Sequence, residues 1–175
     1  MKTMKNFLLL LAAVFSFASC EKDEDKIYLS SIESGELVAT ESTVVLSQEN
    51  SNDIVLSLAW TKDALQISDP ALSAIDVTIQ TLQVSTTQDF SGVVSENVET
   101  SLSKAYTGAA LNALAKNIGA NPDVANNVYF RLAAQTGKNM TPVYSNVLTV
   151  AVTPYTIDMS LGLSLIHISE PTRPY

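Results

Sequence analysis

The 175-residue chain predicts an all-β fold, a two-sheet sandwich with one short helix between strands, preceded by a signal peptide. Three observations carry this expectation. Apolar side chains alternate at period two in several short runs. Clusters of Asn, Asp, Ser and Gly separate those runs at regular intervals. Only one stretch switches to helical spacing. Seven or so strands of this kind suit two packed sheets. No unit of about 20 to 50 residues repeats, which excludes a solenoid.

In chain order, Lys2 and Lys5 precede an apolar run from Phe7 to Phe17. Phe17-Ala18-Ser19-Cys20 then gives way to Glu21-Lys22-Asp23-Glu24-Asp25. A basic start, an apolar run and small residues before a cleavage point define residues 1–19 as a secretory signal. The run is shorter than the roughly 20 apolar residues that span a bilayer. Cys20 is the single cysteine and can close no internal disulfide. Its position resembles a bacterial lipobox, in which the cysteine becomes the lipidated N-terminus. Each buried methylene of an acyl chain adds about 0.8 kcal/mol, so two or more chains hold a protein firmly. Residues 20–36 are therefore expected to be the lipidated cysteine and an acidic, solvated tether. Within it, Lys22, Asp23 and Glu24 resemble the lysine-plus-acidic export signal that sends lipoproteins to the cell-surface face of the outer membrane.

The body, residues 37–155, is expected to hold the sandwich. Thr43-Val44-Val45-Leu46 is a β-branched run, followed by a polar turn from Gln48 to Asp53. In Ile54–Trp60 the residues Ile54, Leu56, Leu58 and Trp60 fall on one face. Val77–Ser85 also alternates, with a phase slip between Ile79 and Leu82 that suggests a bulge, and with Leu82 and Val84 inward. Ala109–Ile118 is alanine-rich and places Leu111, Leu114, Ala115 and Ile118 at helical spacing before Gly119, so a short helix is expected there. Val128, Phe130 and Leu132 share a face in the next strand. A turn at Thr136–Asn139 leads to a last strand from Val143 to Val152, which ends at Pro154.

Residues 156–162 read as the start of a downstream region. Leu163-Ser164-Leu165-Ile166-His167-Ile168-Ser169-Glu170-Pro171-Thr172-Arg173 resembles the conceptual translation of a transposase-type sequencing adapter, so residues 163–175 are set aside from fold reasoning. His167 is the only histidine, and with it goes the sole imidazole for acid–base or metal chemistry.

Between Glu21 and Gly162 there are 17 acidic and 7 basic residues, an excess of ten negative charges. That sign opposes binding to nucleic acid and to anionic headgroups, both of which need a basic face. Neutral ligands such as sugars meet no such penalty.

No Gly-rich phosphate loop, Gly-x-Ser-x-Gly elbow or thiol nucleophile is present once Cys20 is acylated. Asp63, Asp69 and Asp76 supply carboxylates, but turn carboxylates are commoner than a hydrolytic pair. Glu49–Asp53 offers oxygen ligands without the spacing of a calcium loop. Trp60 is in phase with Leu56 and Leu58 and reads as core rather than as a sugar platform. Tyr129 is out of phase with Val128 and Phe130, and Tyr144 and Tyr155 flank the last strand. Asn139-Met140-Thr141 fits a glycosylation acceptor, set aside because a lipobox indicates a bacterial source. No catalytic residue, metal site or cofactor is expected.

The order of parts carries a further signal. Lipobox, acidic tether, Thr43-Val44-Val45-Leu46-Ser47 with Glu49-Asn50, Trp60, Leu82-Gln83-Val84-Ser85 before Asp89-Phe90, Leu111-Asn112, Phe130-Arg131, Tyr144-Ser145-Asn146 and Thr153-Pro154-Tyr155 together resemble the N-terminal domain of SusE-like lipoproteins. The resemblance covers nearly all of residues 1–155. It implies an Ig-like or fibronectin-III-like domain of an outer-membrane surface lipoprotein in a polysaccharide-utilisation system, working beside a TonB-dependent transporter. It further implies that starch or related glycans bind to C-terminal modules beyond this chain, so no sugar-binding residue is carried over. Two other classes fit the same sandwich: the N-terminal module of a surface glycoside hydrolase, and an adhesion module that binds a protein partner through a sheet edge.

Overall fold

Leu56, Leu58 and Trp60 are 0–5 % exposed, and Leu82, Val84, Val128, Phe130, Leu132, Val150 and Val152 at most 1 %. Their period-two spacing makes each parent segment a strand with one dry face, and two such faces pressed together form the core. The computed structural model describes residues 26–69, 71–73, 77–137 and 139–156. The signal peptide, Cys20, Lys22, Asp23, Glu24, Asp76 and the adapter-like tail with His167 lie outside the described residues.

The described strands are β1 (Leu29–Glu33), β2 (Leu37–Ala39), β3 (Thr43–Val45), β4 (Ile54–Trp60), β5 (Ala64–Ile67), β6 (Ile79–Ser85), β7 (Val94–Glu99), β8 (Ser103–Thr107), β9 (Asn126–Gln135), β10 (Val143–Tyr144) and β11 (Leu148–Thr153). One helix, α1 (Gly108–Asn117), joins β8 to β9. One sheet runs β2-β4-β8; the other runs β3-β11-β9-β6-β7, with β10 added on β9; β1 and β5 pair separately. The chain changes sheets between β2 and β3. Thr40 N–H still bonds Ser57 O in the first sheet, while Ser42 O already accepts from Ala151 N–H in the second. β3 then runs parallel to β11, and every other pairing is antiparallel. This is an Ig-like sandwich. Tyr106 of β8 meets Phe130 of β9 across the gap, ring centroids 6.4 Å apart.

Helix α1 follows its sequence signals. Thr107 caps it, its hydroxyl accepting from Ala110 N–H. Leu111, Ala115 and Ile118 are 0–2 % exposed. Gly119 adopts φ +87°, a conformation that favours glycine. Gly119 N–H then reaches Lys116 O and Ala120 N–H reaches Ala115 O, which satisfies the last carbonyls in a Schellman arrangement.

Several expectations are corrected. Ile54 is 67 % exposed, because the β4–β8 register shifts between Ile54 and Leu56 and turns its side chain outward. The phase slip near Ile79 is no bulge: β6 pairs β9 without a break from Ile79 to Ser85, and Ile79 simply lies on the outer face. The last strand is two pieces. Tyr144 pairs with Ala133 but Leu148 with Phe130, a slip of one residue that forms a bulge at 145–147. Residues 29–33, inside the stretch expected to be tether, form β1 by pairing with β5. β1, β2, β7 and β8 show little alternation, and β5, where Leu65 and Ile67 do alternate with exposed neighbours, has only four residues, so the sequence does not announce these strands individually.

Candidate functional site

Carboxylates are the first candidates for chemistry. Asp63 is 8 % exposed, and both its oxygens are engaged: Oδ1 accepts from Gly35 N–H at 3.0 Å and Oδ2 from Gln80 Nε2 at 2.9 Å. Gln80 Oε1 accepts in turn from Trp60 Nε1 at 2.9 Å. The chain Trp60–Gln80–Asp63–Gly35 thus ties β4 and β6, which belong to different sheets, to the β1–β2 connection. Trp60 is core at 5 % exposure, and its buried N–H is satisfied, as burial requires. Asp69 caps a turn by accepting from Ala71 N–H at 2.9 Å; it does not pair with Asp63.

Beside this network opens a cleft of about 540 Å³, bordered by Asp63, Gln80, Glu99 and Ser101. Glu99, paired with Gln80 across β6–β7, is held by Lys104 Nζ at 3.2 Å. The Tyr106 hydroxyl is buried without a hydrogen-bond partner. Its burial, and then the nearby Glu99 charge, push the phenol up to about 12. At the cleft, both oxygens of Asp63, the Gln80 amide and the Glu99–Lys104 pair are thus committed to structural bonds.

The turn at Glu49–Asp53 is equally committed. Asn50 Oδ1 accepts from Ser47 N–H, Asn50 Nδ2 donates to Val45 O, and the carbonyls of Asp53 and Ser51 accept from Gly108 and Ala109 N–H. These carbonyls cap the first turn of α1. No group of three metal-ligating side chains occurs among the described residues.

On the outer face of the larger sheet, the Arg131 guanidinium lies 3.9 Å from the Phe90 ring centroid and 3.8 Å from that of Tyr144. Its Nε donates to Gln83 Oε1 at 2.7 Å, and Gln83 Nε2 donates to Glu96 Oε1 at 2.6 Å. Phe90 has φ 58°, a left-handed conformation costing about 1 kcal/mol in a non-glycine residue. The cation–π contact offsets that cost and folds the 86–92 loop onto the sheet. Ser91 hydrogen bonds hold the Asp89 carboxyl in this loop below its ordinary range. Tyr144 is exposed, Tyr129 and Tyr155 are half-buried, and Asn139, Met140 and Thr141 sit on an exposed turn. The three tyrosines form no shared platform: Tyr144 stacks on Arg131, and Tyr155 packs against the core.

Two residues gain a role that sequence periodicity did not assign. Asn146, in the β10–β11 bulge, accepts from Leu37 N–H and donates to Leu37 O, both at 2.8 Å. It caps the outer edge of β2 as another strand would. Asn112, 3 % exposed on α1, does the same for Tyr155 through bonds of 2.9 and 3.1 Å. The available signal was a polar residue on the apolar face of the helix, next to Leu111.

The sequence matches the family model described as SusE outer membrane protein over residues 22–133. No curated protein and no solved structure matches. No helix among the described residues is long and apolar enough to cross a membrane. Family match and Ig-like topology agree: the chain belongs to the SusE outer membrane protein family, and the protein resides at the outer membrane.

Proposed function

We propose that residues 37–155 are the membrane-proximal, non-catalytic spacer of a glycan-binding surface lipoprotein. Acylated Cys20 anchors it, Lys22, Asp23 and Glu24 direct it to the cell surface, and modules beyond residue 162 bind a starch-like polysaccharide beside a TonB-dependent transporter. Family membership supports the setting in polysaccharide utilisation. One observation carries the spacer role. The chain enters near the C-terminal end of β9, where Ile27 borders the same concavity as Thr136 and Met140. It leaves near the other end, where Val152 pairs with Asn126 and Asp123 N–H bonds Pro154 O. Entry and exit are thus separated by the length of a ten-residue strand, about 30 Å at the usual rise. A domain threaded this way holds its downstream modules at a distance from its anchor. The engaged polar groups at Trp60, Asp63 and Arg131 fit a structural part better than a binding one.

Affinity electrophoresis of residues 21–162 in a starch-containing gel tests the reading. Mobility equal to that in a starch-free gel is expected, and retardation would assign a sugar site to the domain itself. Replacing Cys20 with Ala is expected to release the protein from membranes; unchanged partitioning overturns the anchor.

A further inference from the structure

Besides the cleft at Asp63, a concavity of about 620 Å³ lies beside the β1–β5 pair and the turn after β9. Its lining is almost wholly aliphatic, with Ile27, Leu65, Ile67, Leu72, Val77 and Met140 around it. Ile27, Leu72, Val77 and Met140 are each about half exposed, and Tyr28 beside Ile27 is 65 % exposed. Grouped apolar exposure of this kind marks a contact surface.

Position selects the occupant. Ile27 follows Cys20 by seven residues, and an extended chain of that length spans at most about 25 Å. Granting the lipid anchor proposed above, the groove is held within that distance of the bilayer, at the end of the domain opposite its exit. The ten excess negative charges of the mature segment oppose a second copy of the chain as occupant. They equally oppose charge-driven attachment to headgroups, which leaves apolar burial at the headgroup boundary as the mode of contact. We propose that this groove rests on the outer-membrane surface as a second point of contact beside the acyl chains, with Tyr28 at the polar boundary. The tethered domain then stands in one orientation, its C-terminal end directed away from the bilayer, instead of swinging on the tether.

Acylation consumes the chain's only thiol, so a cysteine introduced by substitution can be labelled alone. The lipidated protein, carrying Met140→Cys or Leu72→Cys with an environment-sensitive fluorophore, is reconstituted in phosphatidylcholine vesicles containing a nitroxide lipid. Val45→Cys, exposed on β3 where it pairs with Thr153 near the chain exit, is the reference. Loss of emission to the nitroxide is expected at 140 and 72 and not at 45. Vesicle flotation with no quenching at 140 and 72 overturns the membrane contact and leaves the anchor standing. Failure to float overturns the anchor itself. A spectral shift at 140 that grows with protein density, without nitroxide quenching, identifies a second copy as the occupant and also overturns the proposal.

Discussion

Asn146→Ala removes a side chain that acts as a strand. Leu37 is 1 % exposed, and its N–H and C=O both turn away from β4 toward the Asn146 amide at 2.8 Å. Two net hydrogen bonds contribute about 2 kcal/mol, and leaving two backbone groups unpaired at a partly buried site adds further desolvation, for a total of about 3 kcal/mol. In a domain of this size each kcal/mol moves Tm by roughly 4 °C, so a fall of about 12 °C is expected. Urea denaturation followed by circular dichroism reads the same loss as a lower midpoint at unchanged slope. The isosteric Asn146→Asp separates hydrogen bonding from packing. It keeps the acceptor for Leu37 N–H but sets an oxygen against Leu37 O, so it should destabilise at least as much as alanine. A loss below about 1 kcal/mol for either variant would refute the claim that this amide joins the two sheets.

Three further perturbations probe other parts of the same structure. Arg131→Met gives up two cation–π contacts and a charge-assisted bond, a loss of about 2 kcal/mol, with faster hydrogen exchange confined to the 86–92 loop and β10. Gly108→Ala would press a Cβ into the backbone carbonyl of Asn50; that carbonyl is held by its bond from Asp53 N–H, so a cost of about 1–3 kcal/mol is expected in thermal unfolding. Tyr106 titrates near 12 in the folded state against an ordinary 10. Folding therefore favours the neutral phenol, a contribution fully present below pH 10 and lost as pH rises from 10 through 12. Tyr106→Phe should flatten stability in that window without loss at pH 7, because the deleted hydroxyl has no partner; an unchanged alkaline slope would point to another group.

Much of the fold is legible along the chain because burial is written locally. Leu56, Leu58, Trp60, Val128, Phe130 and Leu132 alternate, and the helix shows its apolar stripe and its Gly119 terminator, though not its Thr107 cap. Short edge segments are less legible. β7 and β8 bury only Tyr106 fully, and β2 has three residues, too few to display a period. The candidate site is divided the same way. Trp60 as core is readable from its phase, whereas the commitment of Asp63 to Gly35 and Gln80 is not.

By itself, the sequence determined the fold class, the helix, the inward residues and the order of motifs shared with SusE-like proteins, since each depends on neighbours a few positions away. Only the tertiary structure decided what those motifs do. Asn146 and Leu37 are 109 positions apart, Asn112 and Tyr155 are 43 apart, and Arg131 meets Phe90 and Tyr144 only once β9, β10 and the 86–92 loop converge. A hydrogen-bond or stacking partner is set by where strands cross, and no local pattern records that.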